Sequence, residues 1–265
     1  MQSVLVSGGA GFIGSNVADL LIERKDSVVI VDNLSSGSMD NVNRRARFYN
    51  VDIKNFKQLE DVFEKERPDK VVHAAAQVQV VKSMEDPVFD ASTNILGSIN
   101  VLECCKKFKI KKIIYLCTGG ALYGNPRYLP ADEKHPIDPI SAYGVSKYTV
   151  EKYLYMYNVN YGLDFISLRF ANVYGTRDSV GSGRVIPAFV NCLLNNKRPY
   201  ITGEGKQTRD FIFVKDVAKA VVLALDKDTE NRYFNIGSEE ITSINELFNF
   251  IKKILKSDIK PEYIN

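Results

Sequence analysis

Apolar residues along this chain come in two alternating textures, short unbroken runs and longer stretches in which they recur every three or four positions. Val4-Leu5-Val6 is a run of the first kind, as short and continuous as a buried parallel strand requires. Ile13, Val17, Leu20 and Leu21 follow at helical spacing. The alternation then repeats. Ser27-Val28-Val29-Ile30-Val31 reads as a strand ending at Asp32, and residues 48–51 as a strand ending at Asp52-Ile53. Phe56–Glu66 reads as a helix, and Lys70-Val71-Val72-His73 as a strand running into Ala74-Ala75-Ala76. A helix over residues 92–108 buries Ile95, Ile99 and Leu102, and residues 112–116 form the next strand. Strands alternating with helices predict an α/β fold, a doubly wound parallel (Rossmann) sheet with right-handed crossovers. Ligands of such folds sit beyond the carboxyl ends of the strands.

The pattern thins in the last third. Val185–Leu194 reads as an amphipathic helix after Gly181-Ser182-Gly183, and residues 211–214 as a strand returning to the sheet, with Asp216 as N-cap of the next helix. Ser243-Ile244-Asn245-Glu246 is a capping box before a closing helix with apolar Leu247, Phe250, Ile251 and Leu255. The expected division is a nucleotide-binding domain over 1–168, to which 211–226 returns, and a smaller C-terminal lobe over most of 169–265.

Composition narrows the class only slightly. A chain of 265 residues can bury a full core, and a net charge of +3 is too small to argue for nucleic acid. The basic residues within 106–112 flank a helix end and the next strand. No apolar run approaches the ~20 residues that span a bilayer. Met1-Gln2-Ser3 runs directly into a strand pattern, so no secretory leader is expected. Cys104, Cys105, Cys117 and Cys192 lack zinc-ligand spacing and read as reduced thiols of a cytoplasmic protein, with no metal site.

Candidate chemistry lies where the strands end. Strand, Gly8-Gly9-Ala10-Gly11-Phe12-Ile13-Gly14, helix is the context of a dinucleotide fingerprint. Gly8 permits the tight turn, Gly11 lets backbone approach a pyrophosphate, and Gly14 lets helix and strand pack closely. The helix N-terminus offers free N–H groups to phosphates. Asp32, eighteen residues past Gly14, suits the ribose hydroxyls and repels a 2′-phosphate, favouring NAD over NADP. The polar loop from Asn33 through Ser35 and Ser36 to Gly37 suits adenosine, Asp52-Ile53 reaches its adenine edge, and Ala74, Ala75 and Ala76 leave room for a cofactor. His73 reads as a strand-end packing residue. In Tyr143-Gly144-Val145-Ser146-Lys147 a tyrosine and a lysine lie one helical turn apart. A phenol is a poor base at neutral pH unless a nearby cation favours the phenolate. Alone, this spacing also fits an ordinary surface helix.

Together these segments resemble the extended short-chain dehydrogenase/reductase superfamily, and within it the nucleotide-sugar epimerases of the UDP-glucose 4-epimerase type. The similarity spans nearly the whole chain. It rests on residues 8–14, on Asp-Asn-Leu-Ser-Ser-Gly at 32–37, His-Ala-Ala-Ala at 73–76 and Gly-Gly-Ala-Leu-Tyr-Gly at 119–124. Ser-Ala-Tyr-Gly-Val-Ser-Lys at 141–147, Arg-Phe-Ala-Asn-Val-Tyr-Gly at 169–175 and Thr-Arg-Asp-Phe-Ile-Phe-Val-Lys-Asp-Val-Ala at 208–218 complete it. The resemblance implies tightly held NAD contacted also by Phe12, Ile13, Asn94, Tyr143 and Lys147. It implies that ionised Tyr143 removes the sugar 4-hydroxyl proton while C4 passes a hydride to NAD. The 4-keto sugar then turns in the pocket and regains the hydride on its other face. Lys147 would lower the Tyr143 pKa and bind the nicotinamide ribose. Asn172 and Arg209 would hold the diphosphate, with Thr118, Gly119 and Tyr143 at the sugar. Val185, Ile186 and Phe189 would line the nucleobase, although Ile186 and Phe189 fit plain core better.

Two departures stand out. The Ser or Thr of relatives falls at Gly119 here, with Thr118 one residue early. Either Thr118 reaches in from its neighbouring position, or the tyrosine works without a hydroxyl partner. Gly119-Gly120 replaces the Asp-Glu of the 4,6-dehydratases. Relatives also continue past 261–265 into an arginine-containing clamp, whereas this sequence ends at Asn265. Rival expectations are a reductase or decarboxylase of the same superfamily, or a non-catalytic NAD-binding protein. A homodimer is expected through the helix carrying Tyr148, Tyr153, Tyr155 and Tyr157 and the helix over 92–108, where relatives form a four-helix bundle.

Overall fold

The computed structural model describes residues 2–264; Met1, part of the stretch read against a leader, and Asn265, the last residue of the 261–265 end, lie outside the described residues. The chain opens with β1 (Ser3–Ser7), α1 (Phe12–Glu23), β2 (Ser27–Asp32), β3 (Arg47–Asn50), α2 (Phe56–Glu66) and β4 (Lys70–His73). Two short helices, α3 (Val80–Glu85) and α4 (Pro87–Ala91), then pass through a π-helical turn at Ser92–Leu96 into α5 (Gly97–Lys107). Next come β5 (Lys112–Thr118), α6 (Ala142–Tyr161) and β6 (Asp164–Phe170). The remainder is β7 (Asn172–Tyr174), α7 (Val185–Leu194), β8 (Tyr200–Thr202), β9 (Thr208–Arg209), β10 (Phe211–Phe213) and α8 (Val214–Asp226). It closes with β11 (Tyr233–Ile236), β12 (Thr242–Ser243), α9 (Ile244–Ile254) and β13 (Glu262–Ile264).

Seven strands form one sheet in the order β11-β6-β5-β4-β1-β2-β3, each pair parallel. The continuous apolar runs follow from burial on both faces. Val4 and Val6 pack with Val17 and Leu21 of α1 and Val217 and Val221 of α8. Leu5 faces the other way, toward Leu59 and Phe63 of α2, Leu102 of α5 and Leu154 of α6. Strand order reverses between β1 and β4, which opens a crevice at their carboxyl ends. A third cluster, Phe189 and Leu193 with Leu247, Phe248 and Ile251, holds the C-terminal lobe together.

Several expectations are corrected. Residues 211–213 do not rejoin the large sheet but pair with β7, while α8 packs back on the core and β11 becomes the edge strand beside β6. The N-cap of α8 is Phe213, and Asp216 lies inside its first turn, where it bonds Lys219. Its charge there still suits the helix dipole. Ile95 and Ile99 are only half-buried, and Leu102 is the position that is fully enclosed. Phe250 is exposed on α9. The capping box of Ser243 and Glu246 is present, and all four cysteines are free.

Candidate active site

The dinucleotide crevice is shaped by close backbone approach. Gly8 sits at φ +71°, and a Cβ there would fall 2.5 Å from the Ala75 nitrogen, so the turn after β1 and the small residues after β4 pack backbone to backbone. Gly11 heads α1 without a side-chain cap, leaving first-turn N–H groups available for phosphate. Asp32, 8% exposed, accepts from Ala10 N–H at 3.0 Å and Leu34 N–H at 2.8 Å. Burial raises its carboxyl and these two bonds pull it back; lone pairs remain for a ribose diol. Asn33 donates to Asp52 at 3.0 Å and accepts from Ser35 N–H, tying the loop of Ser35, Ser36 and Gly37 to the end of β3. Uncapped helix, glycine turn and acidic β2 end fit a dinucleotide without a 2′-phosphate. The Ile53 side chain is buried where a Cβ on Gly97 would strike it at 2.7 Å, which leaves its backbone to face the crevice. Asn94 is equally committed. It holds Gln77 through both backbone groups, at 2.8 and 3.0 Å, and donates to Asp90 at 3.0 Å. It shapes the loop after Ala74, Ala75 and Ala76, its polar atoms already engaged by protein.

The reacting end is set by how α6 begins. Ser141 caps it by accepting from Gly144 N–H at 3.1 Å, and a Cβ on Gly144 would meet the Ala121 carbonyl at 2.4 Å. That contact presses the first turn of α6 onto the segment after β5, so Tyr143 meets Thr118. The Thr118 hydroxyl accepts from Ala121 N–H at 3.3 Å and lies near enough to the Tyr143 phenol to favour its ionised form. Thr118 thus stands beside Tyr143 with its hydroxyl on the Ala121 backbone, and Gly119 contributes backbone, donating to Phe170 at 2.8 Å. Burial holds the Tyr143 phenol above its usual range; Arg184 and Thr118 pull it down. Lys147, 3% exposed, donates to the Leu116 carbonyl at 2.6 Å and lies 4.2 Å from the Tyr115 ring centroid. Burial lowers its ammonium to about 8.

His73 is a packing residue, as its strand-end position suggested. It is 1% exposed, bonded to Ser7 at 2.7 Å and Ser98 at 2.8 Å. Ser98 donates its own proton to the Asn94 carbonyl, so His73 Nε2 carries a hydrogen and Nδ1 accepts from Ser7. Burial pushes its pKa down to about 3.

A cavity of about 350 Å³ opens in the C-terminal lobe, lined by Asn172, Arg184, Val185, Ile186, Phe189 and Arg209 among others. Every candidate substrate residue of that lobe meets here. Phe189 is 2% exposed and packs edge-on to Phe248, so it forms the cavity floor as core, while Val185 and Ile186 are half-buried. Asn172 donates to the Asp210 carbonyl at 3.1 Å, and Arg209 is exposed.

Sequence reasoning missed two groups. Arg184 stands 5.3 Å from the Phe12 ring centroid and binds Asp178 at 2.6 Å, bridging the lobe to the glycine turn. Nothing in its spacing announces this. Two turns further along α6, Glu151 receives Arg169 at 2.8 and 3.0 Å, and Arg169 also donates to Tyr123. Glu151 lies eight residues past Tyr143 on α6, a spacing that marks it as facing the sheet.

A parallel nucleotide-binding sheet with a glycine turn, an acidic β2 end and a Tyr-x-x-x-Lys pair whose lysine is buried defines an NAD-dependent enzyme of the extended short-chain dehydrogenase/reductase class. More narrowly, the chain belongs to the NAD dependent epimerase/dehydratase family, whose model matches residues 4–237. It is 48% identical, over 94% of its length and 81% of the relative's, to a Methanocaldococcus jannaschii protein provisionally named a UDP-glucose 4-epimerase. It is similar to the solved UDP-glucose 4-epimerase of Thermotoga maritima with UDP-glucose, at TM-score 0.96 and 44% identity, covering 99% of this chain and 85% of that one. The Thermus thermophilus UDP-glucose 4-epimerase complex with NAD matches at TM-score 0.93 and 36% identity, over 99% and 85% of the two chains.

Proposed function

We propose that this protein is an isomerase interconverting UDP-hexoses at C4, of the UDP-glucose and UDP-galactose type. The observation that carries the reading is Tyr143 and Lys147 one turn apart on α6 beside the β5 end at Thr118, with Lys147 buried on the Leu116 carbonyl and Asn172 and Arg209 sharing a cavity in the adjoining lobe. NAD, when bound, supplies the carbon that takes hydrogen from C4 and returns it. Tyr143 accepts and returns the 4-hydroxyl proton, and Thr118 stands beside that phenol. The buried Lys147 ammonium favours the phenolate once the crevice is filled, as a general base near neutral pH requires. Arg209 suits the diphosphate through its fork of donors, with Asn172 beside it. After Thr118, Gly119 and Gly120 carry no acid or base that could eliminate water from the sugar, which disfavours dehydration.

We further infer a cytoplasmic homodimer. Among the described residues no helix is long and apolar enough to cross a membrane, and the free thiols suit a reducing compartment. Exposed Val145, Tyr155 and Val159 form one stripe on α6, and exposed Leu96 lies between half-buried Ile95 and Ile99. Tyr157 is buried and Tyr148 and Tyr153 lean on the core, so the aromatic surplus is smaller than the sequence suggested. Sedimentation as a monomer would refute the dimer. The activity is tested by incubating purified protein with UDP-glucose or UDP-galactose without added NAD. Interconversion with unchanged nicotinamide absorbance is expected; net reduction or loss of CO₂ would favour a reductase or decarboxylase, and binding without turnover a non-catalytic NAD-binding protein.

A further inference from the structure

Asp90, on α4, is fully buried, and no cation pairs with it among the described residues. Its Oδ1 accepts from Gln77 at 2.9 Å and from Asn94 at 3.0 Å, and its Oδ2 accepts from Ser146 at 2.6 Å. Every bond is received, so the geometry suits the ionised carboxylate. A buried charge held only by neutral dipoles is expensive unless an opposite charge lies near. Ser146, which donates to that carboxylate, is followed on α6 by Lys147, whose ammonium is likewise buried, feels the Asp90 charge, and is bonded only to a carbonyl and an aromatic face.

We propose that Asp90 is a positioning residue for the reacting pair: its carboxylate is the counter-charge that keeps the Lys147 ammonium in the buried crevice, acting through space, and it also fixes Gln77 on the cofactor side. The other groups facing Lys147 and Tyr143 do not supply that charge. Glu151 is neutralised by Arg169. Cys117 is a thiol pushed up to about 12, and buried His73 is neutral. Tyr115 is held protonated by burial, and the Arg184 cation is matched by Asp178. The Asp90 charge acts on both members of the pair, favouring the Lys147 ammonium and disfavouring the Tyr143 phenolate. The pair is thereby kept in its fully protonated form until a cationic nicotinamide arrives to shift the balance toward the phenolate.

The inference rests on Tyr143 and Lys147 being the reacting pair, and its test has one arm that needs no activity. In Asp90→Asn a negative charge disappears, so both groups should lose protons more readily. The acid and basic limbs of the kcat profile should move down together by about one to two pH units, the scale of one buried charge several ångströms away. Ser146→Ala keeps the charge and should leave both limbs in place. A profile of unmoved limbs in Asp90→Asn overturns the proposal. The second arm measures Tm for Asp90→Asn, Lys147→Met and the double variant. Coupled charges predict a double variant that melts several degrees above the sum of the single losses, or that folds where Asp90→Asn does not. Additive losses, or failure of the double variant to fold, overturn the proposal even where epimerisation itself is confirmed.

Discussion

Around Lys147 the polar side chains are enclosed and bonded to one another, whereas around Arg209 they face solvent and lean on backbone. Ser7, His73 and Ser98 form one buried chain, Gln77, Asn94, Asp90 and Ser146 a second, and Glu151, Arg169 and Tyr123 a third. All of them hang on a seven-stranded sheet. At the other end, β7 with β10, β9 with β12, and β8 with β13 are separate two-stranded ladders, and Arg209 donates to the carbonyl of its neighbour Thr208. The difference separates two tasks. Proton and hydride geometry tolerates little play, so it is cut into the core. Holding a flexible diphosphate needs charge and reach, which a thinner lobe supplies.

The sharpest test removes the proton acceptor and leaves everything else standing. In Tyr143→Phe, turnover is expected to fall by about 10²- to 10⁴-fold, the scale of positioned general acid–base catalysis, with little change in KM. Stopped epimerisation assays at saturating sugar measure it. Activity within tenfold of the parent would place the proton acceptor elsewhere and dissolve the contrast between the two ends.

Next in size is the pin two turns further along α6. Glu151 and Arg169 are 1% and 3% exposed, so Glu151→Ala strands a buried guanidinium. A loss of about 3–5 kcal/mol in urea-induced unfolding is expected. A loss below about 1 kcal/mol would mean that the reacting end is not stiffened by this pair.

A smaller effect follows from His73. Its folded pKa is near 3 against an ordinary value of 6.5, so the unfolded chain binds the proton first as pH falls. Its contribution to stability is complete above about pH 6.5 and declines as pH falls toward the folded value. Near pH 5 the loss is about 2 kcal/mol. A His73→Gln variant, whatever its own stability, should lack this part of the acid slope when unfolding is followed from neutral pH to about pH 5. An unchanged slope would place the titration elsewhere.

The sheet was legible because doubly buried strands read as short apolar runs between polar ends; Val4 to Val6 and Val71-Val72 announce themselves. Thr118 was half legible: spacing left it one residue from the expected place, and only the contact of Gly144 with Ala121, whose N–H its hydroxyl accepts, brings it beside Tyr143. The route of Phe211–Phe213 was not legible, because a three-residue strand reads alike whether it joins seven strands or one. Arg184 and Asp90 stayed silent for a different reason. Their roles depend on partners brought from α1, from the loop after β4 and from α6, and no local periodicity carries such distances.

The smallest expected effect tests the thin end. Arg209 lies on a two-residue strand, exposed and held by one side-chain bond to its own neighbour, so its loss should leave the fold unmoved. Arg209→Lys keeps the charge and removes the planar fork that matches phosphate oxygens. KM for a UDP-hexose is expected to rise about tenfold, equivalent to a single weakened charged contact, with kcat and Tm unchanged. The measurement also separates the two ends directly. If Arg209→Lys lowered kcat as strongly as KM rose, the diphosphate contact would be steering the sugar against Tyr143, and the lobe would belong to the reacting machinery rather than serve as its handle.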